Sequence, residues 1–225
     1  MPAPEAVVFD AYGTLLDVNA AMQGQAARLG ARWAALSAEW RAKQLEYTWV
    51  RSLTGAAHHE DFWLCTRDAL HFVFTRNGIA DAALEKALME AYRTLPAYPE
   101  VPGVLRAIRE RGMAVAILSN GTPGMLADAV AAAGIAPLVD EVLSVESVGI
   151  FKPDPRVYRL ATRQFGCPAD RLAFVSGNAW DAQAAQAFGM LAVRVNRAGA
   201  PDEYGLAEAG VPVLDDLQGL IGVLS

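Results

Sequence analysis

Ala6-Val7-Val8-Phe9-Asp10-Ala11-Tyr12-Gly13-Thr14-Leu15-Leu16-Asp17 decides how the rest of the chain is read. Four apolar residues lead into a carboxylate, and a glycine-bearing loop follows at once. A half-exposed strand alternates apolar and polar residues, whereas a short unbroken apolar run fits a strand buried on both faces, as in a parallel sheet. Similar runs stand at Ala114–Ser119, Leu172–Ser176 and Leu191–Val195. Helical periodicity fills the intervals near 103–111, 123–133, 155–165 and 181–188. Strand and helix therefore alternate, which predicts an α/β fold with a doubly wound parallel sheet. In such sheets ligands lie beyond the carboxyl ends of the strands, so Asp10 sits where chemistry is expected.

Residues 16–97 break this alternation. They carry no strand signal, only amphipathic stretches near 19–34, 37–53, 60–77 and 81–95, followed by a proline-bearing return at 95–103. The reading is a helical cap inserted at 16–97 into a core made of 1–15 and 98–225. Ser37 is the expected N-cap of the second stretch, Gly55 its end, and Asn77-Gly78 the end of the third. Four of the five tryptophans (Trp33, Trp40, Trp49, Trp63) fall in the insert, as expected of a small helical unit packed on aromatic anchors.

Composition narrows the function. The 225 residues are 53% hydrophobic and 20% charged, with 19 Gly and 12 Pro, which excludes a disordered or collagen-like chain. A net charge of -6 without any block of like charges offers no electrostatic footprint for nucleic acid. Cys65 and Cys167 stand in no CxxC or metal-ligand pattern and read as reduced packing residues. His58-His59 has no third ligand at suitable spacing. The sequence opens on no basic and apolar leader, and no apolar run reaches the ~18 residues of a membrane span, so the expected address is the cytoplasm with no membrane partner.

The remaining rim segments are Leu118-Ser119-Asn120-Gly121, Phe151-Lys152-Pro153-Asp154 with Tyr158 just beyond, and Val175-Ser176-Gly177-Asn178-Ala179-Trp180-Asp181. Only three lysines occur, so Lys152 in such a place is informative. Aspartate, then serine, then lysine, then aspartate, each at a strand rim or in the loop beyond it, resembles the four-motif pattern of the haloacid dehalogenase superfamily over essentially the whole chain, including the cap after the first motif. Phosphatases of that superfamily carry a second acid where Tyr12 stands, and paired acids for Mg²⁺ in the last motif, where this chain has Asp181 alone. A phenol is a poor acid for an alkoxide leaving group. A halide leaves without a proton, and a haloacid carries only one carboxylate to neutralise.

Trp40-Arg41-Ala42-Lys43-Gln44-Leu45-Glu46-Tyr47-Thr48-Trp49 and the Ser-x-Asn-x-Trp-Asp segment are similar in order and wording to the L-2-haloacid dehalogenase family. The resemblance implies that Asp10 attacks the α-carbon with inversion, forming an ester that water hydrolyses, and that no cofactor or metal takes part. It implies a halide cradle of Arg41, Asn120 and Trp180, and a grip on the substrate carboxylate from Ser119 and the Ala11 and Tyr12 amides. Lys152 keeps Asp10 an anion, Asp181 holds Lys152, and Thr14, Tyr158, Ser176 and Asn178 complete the polar shell. Tyr12, Leu45, Phe62 and Trp180 form the apolar pocket, and Arg41 and Leu45, four apart, share one helix face. The substrate implied is a short L-2-haloalkanoate and the assembly a homodimer. One departure is visible: the family often has a second serine where Gly177 stands, which bears on water placement. Two rival classes remain: a Mg²⁺-dependent phosphatase of the same superfamily and a catalytically idle binding protein.

Overall fold

The computed structural model describes residues 4–224. Six parallel strands form one sheet in the order β3-β2-β1-β4-β5-β6: β1 Ala6–Phe9, β2 Ala114–Ser119, β3 Glu141–Ser144, β4 Leu172–Ser176, β5 Leu191–Val195 and β6 Val213–Leu214. β1 is central because its four apolar side chains need cover on both faces, and all four are fully buried. Its register places Ala6 against both Ala114 and Leu172. The strand order reverses between β1 and β4, and a crevice at that reversal is where such sheets take a ligand.

Two strands, β3 and β6, escaped the sequence reading. Both are edges, with half-exposed or exposed side chains, so neither carries the apolar run that marks a doubly covered strand. The core helices α6 Val101–Glu110, α7 Pro123–Ala132, α8 Pro155–Phe165 and α9 Ala179–Phe188 fall where periodicity placed them. A short α10, Leu220–Val223, follows β6.

Between β1 and β2 the chain forms α1 Ala20–Gln23, α2 Ala26–Leu29, α3 Trp33–Thr54, α4 Phe62–Arg76 and α5 Ala82–Arg93 before α6. The segment leaves and re-enters the sheet at one place: Asp17 N–H donates to the Pro96 carbonyl at 2.9 Å and Tyr98 N–H to Leu15 at 3.0 Å. Two expectations are corrected here. Residues 19–34 are no single helix, since Gly24 and Gly30 divide them into α1, α2 and a 3-10 turn. Ser37 is not an N-cap, because α3 begins four residues earlier on a run rich in Ala and Leu, and the buried Ser37 hydroxyl donates to Asn19 Oδ1 at 2.8 Å. Asp61 and Asp81 do cap α4 and α5, each accepting the N–H three residues on at 2.9 Å. α3 ends at Gly55 and α4 at Asn77-Gly78, where positive φ angles of 100° and 65° suit glycine. Trp40 anchors the insert, its indole donating to the Thr66 carbonyl at 2.8 Å. Among the described residues no helix is long and apolar enough to cross a membrane.

Candidate active site

β1 delivers Asp10 to the rim, where its N–H donates to the Val175 carbonyl of β4 at 3.0 Å. The following loop folds back on itself: Leu15 and Leu16 N–H both donate to the Ala11 carbonyl at 3.0 Å, and Gly13 takes φ +88°, a conformation that favours glycine. That turn brings Thr14 under the carboxylate, and its hydroxyl donates to Asp10 Oδ2 at 3.0 Å. Asn178 Nδ2 donates to the same oxygen at 2.8 Å, and Lys152 Nζ to Oδ1 at 3.2 Å. A carboxylate offers about four lone-pair sites. Three donors therefore fix the group in place and leave it capacity to attack.

Lys152 also donates to Asp181 Oδ2 at 2.9 Å, so one ammonium joins two carboxylates. Lys152 and Asp181 are almost wholly shut from water, and the ammonium lies 4.9 Å from the centre of the Phe174 ring. Desolvation makes such charges costly unless paired and hydrogen-bonded. Asp181 is satisfied on both oxygens, accepting Tyr158 Oη at 2.6 Å and Ser176 Oγ at 3.1 Å in addition. Burial pushes the Asp181 carboxyl above the usual range, Lys152 opposes this, and Asp10 adds to it. Tyr158 stays a phenol, raised by burial and then by Asp181. Ser176 Oγ accepts the Asn178 N–H at 3.1 Å, tying the last motif together.

Asp10, Thr14, Lys152, Tyr158, Ser176, Asn178 and Asp181 thus form one connected network, as the motif reading grouped them. Asn120 joins it by accepting the Lys152 N–H at 3.0 Å. Ser119 is fully buried at the end of β2, and its oxygen accepts the Gly121 N–H at 3.2 Å. Arg41 reaches across from α3: Nη2 donates to the Tyr12 carbonyl at 3.2 Å. Tyr12 packs its ring 5.4 Å from Tyr92 and 5.6 Å from Phe62. Its hydroxyl is buried without a partner, and burial, then Tyr92, pushes it far above the ordinary phenol range. Leu45 is buried on α3. Trp180 stands one residue before Asp181, and its ring meets Trp49 edge-on at 5.6 Å on a groove shared with Phe151 and Pro153.

Several residues around this network went unnoticed in the sequence. Gln44 accepts from Arg41 Nη1 at 2.7 Å, and its position one turn beyond Arg41 was a usable signal. Arg197 donates to the Thr14 carbonyl at 3.2 Å and Ser52 Oγ accepts the Phe151 N–H at 3.2 Å, and nothing local marks either. Among the described residues no three His, Cys, Asp or Glu side chains cluster to hold a metal ion. His59 instead meets Glu146 at 3.1 Å.

A doubly wound α/β protein with an aspartate–lysine–aspartate centre at the reversal of strand order, overhung by a helical insert, defines a class of hydrolase. The haloacid dehalogenase-like hydrolase family matches residues 4–189, and the chain belongs to that family. It is 44% identical over 203 residues to (S)-2-haloacid dehalogenase 1 of Pseudomonas sp. (strain CBS-3), covering 90% of this chain and 88% of that one. A solved dehalogenase structure superposes with a TM-score of 0.94 at 40% identity, covering 99% and 98% of the two chains. The L-2-haloacid dehalogenase of Xanthobacter autotrophicus, solved with chloropropionic acid covalently bound, superposes with a TM-score of 0.85 at 32% identity, covering 98% of each.

Proposed function

We propose that this chain is an (S)-2-haloacid dehalogenase, hydrolysing short L-2-haloalkanoates to 2-hydroxy acids with inversion. The observation that carries the reading is the pairing of a fixed nucleophile with a missing acid. Asp10 is held by Thr14, Asn178 and Lys152. The residue two positions on is a buried tyrosine whose pKa is pushed up, far from any value at which it protonates a leaving alkoxide at neutral pH. Halide departure needs no such proton. The 44% identity to a named (S)-2-haloacid dehalogenase supports the substrate class.

In the proposed reaction an Asp10 oxygen displaces halide at the α-carbon, and water then cleaves the ester at the Asp10 carbonyl. Lys152 stabilises the anionic nucleophile and is itself held by Asp181. Arg41, Asn120 and Trp180 receive the halide, while Ser119 and the Ala11 and Tyr12 amides hold the substrate carboxylate. Leu45, Phe62, Tyr12 and Trp180 wall the alkyl group and limit its length. Residues 16–97 act as the cap over a core of 1–15 and 98–225, and Arg41 crosses that boundary. No cofactor or metal enters the reaction. The protein works as a cytoplasmic homodimer.

The test is chloride release from (S)- and (R)-2-chloropropionate in EDTA, with Asp10→Asn beside the native chain. The expected result is turnover of the S enantiomer alone, unaffected by chelator and abolished by the substitution. Mg²⁺-dependent phosphate release from p-nitrophenyl phosphate without halide release would replace this reading with a phosphatase, and no turnover of either with an idle binding protein.

A further inference from the structure

We propose that Gln44 is a positioning residue for Arg41, and that the Thr66 hydroxyl sets which way its amide faces. The inference rests on the reading of Arg41 as an anion-binding group. Gln44 and Thr66 are both buried, 1% and 0% exposed, on the facing helices α3 and α4. Thr66 Oγ1 donates to the Phe62 carbonyl at 2.6 Å. A hydroxyl has one proton, so the 2.6 Å contact between Thr66 Oγ1 and Gln44 is donated by Gln44 Nε2. The amide oxygen then faces the other way, where two donors converge: Arg41 Nη1 at 2.7 Å and Tyr92 Oη at 3.2 Å. A flipped amide would set its NH₂ against a guanidinium and a phenol, and its oxygen against another acceptor. One orientation satisfies every group.

Arg41 is consequently held at both ends of its fork, by Gln44 within the insert and by the Tyr12 carbonyl on the nucleophile loop. Holding an arginine in advance spares the rotamer entropy that an arriving anion would otherwise have to offset. When an anion draws Nη2 from the Tyr12 carbonyl, Nη1 stays anchored. The anchor is a neutral amide, so the full positive charge of Arg41 remains for the ligand. A carboxylate at position 44 would hold the guanidinium and cancel that charge.

Two substitutions separate positioning from packing. Thr66→Val keeps shape, removes the hydroxyl and touches neither Arg41 nor substrate; Thr66→Ser restores the hydroxyl. Gln44→Glu is isosteric and adds the cancelling charge. The expected results are a three- to tenfold rise in KM for (S)-2-chloropropionate in Thr66→Val with kcat changed less, recovery in Thr66→Ser, and about a tenfold or larger rise in Gln44→Glu in both KM and the inhibition constant of chloride. Unchanged KM in Thr66→Val or Gln44→Glu, or equal losses in Thr66→Val and Thr66→Ser, overturns the proposal. Crystal structures of the two Thr66 variants keep the question separate from the dehalogenase reading. Should the native chain release no halide, an Arg41 guanidinium displaced in Thr66→Val and in place in Thr66→Ser still supports positioning, and one unmoved in both refutes it.

Discussion

Gly177 approaches Gly13 so closely that a Cβ on Gly177 would stand 2.4 Å from the Gly13 carbonyl oxygen. The place where the family resemblance implied a second serine has no room for a side chain here, and the obstacle is backbone. The contact matters because Gly177 N–H donates to Thr14 Oγ1 at 2.8 Å, and Thr14 in turn donates to Asp10. Any side chain at 177 pushes on the loop that aims the nucleophile.

Gly177→Ser is accordingly expected to lower stability by about 1–3 kcal/mol, the usual cost of overpacking, and to reduce kcat about tenfold. Gly177→Ala separates bulk from the hydroxyl and should do the same. Urea denaturation with chloride-release kinetics decides it; a serine variant as stable as the native chain and faster would show that this loop yields.

Lys152 lies between Asp10 and Asp181, and Lys152→Met would leave two buried carboxylates without their cation. Turnover should vanish, and stability at about pH 7.5 should fall by about 3–5 kcal/mol, as when a buried pair loses one partner. The deficit should shrink on acidification. Burial raises the Asp181 carboxyl in the folded chain, so the folded state binds its proton before the unfolded state does and gains stability as pH falls. Denaturation at about pH 5.5 is the check, and a larger deficit there contradicts the assignment.

Tyr158 donates to Asp181 Oδ1 at 2.6 Å, a bond that favours the ionised carboxyl. Tyr158→Phe removes it and raises the Asp181 pKa further. The acid limb of kcat should therefore move to higher pH, with a smaller loss on the alkaline plateau. The pH profile of chloride release measures this, and a limb that stays or moves down excludes the role.

What the sequence made legible was local. Asp10 and Ser119 sit at strand ends, Asp181 in the first turn of α9 and Lys152 in the loop before α8, each in a short motif, and the buried strands announced themselves as unbroken apolar runs. The edge strands β3 and β6 are exposed and carried no such mark. Ser37 read as a cap because serine favours that place in isolation, and its tertiary partner Asn19 overrode the preference. Thr66 and Tyr92 lie 22 and 48 positions from the Gln44 they contact, and Arg197 lies 183 from Thr14. Pairings at such separations leave no trace in spacing.

The central place of β1 also bears on how the chain is made. Its neighbours begin at Ala114 and Leu172, so a ribosome adding about 5–20 residues per second completes the Asp10 segment roughly 5–20 s before the first of them emerges. Through that interval Val7, Val8 and Phe9 are an apolar segment with no sheet to enter. The helices from Ala20 to Arg93 are complete by then, and the pairing of Leu16 with Ala97 brings their two ends together. The loop that β1 must close to meet β2 is shortened accordingly, and with it the entropy lost in closing it.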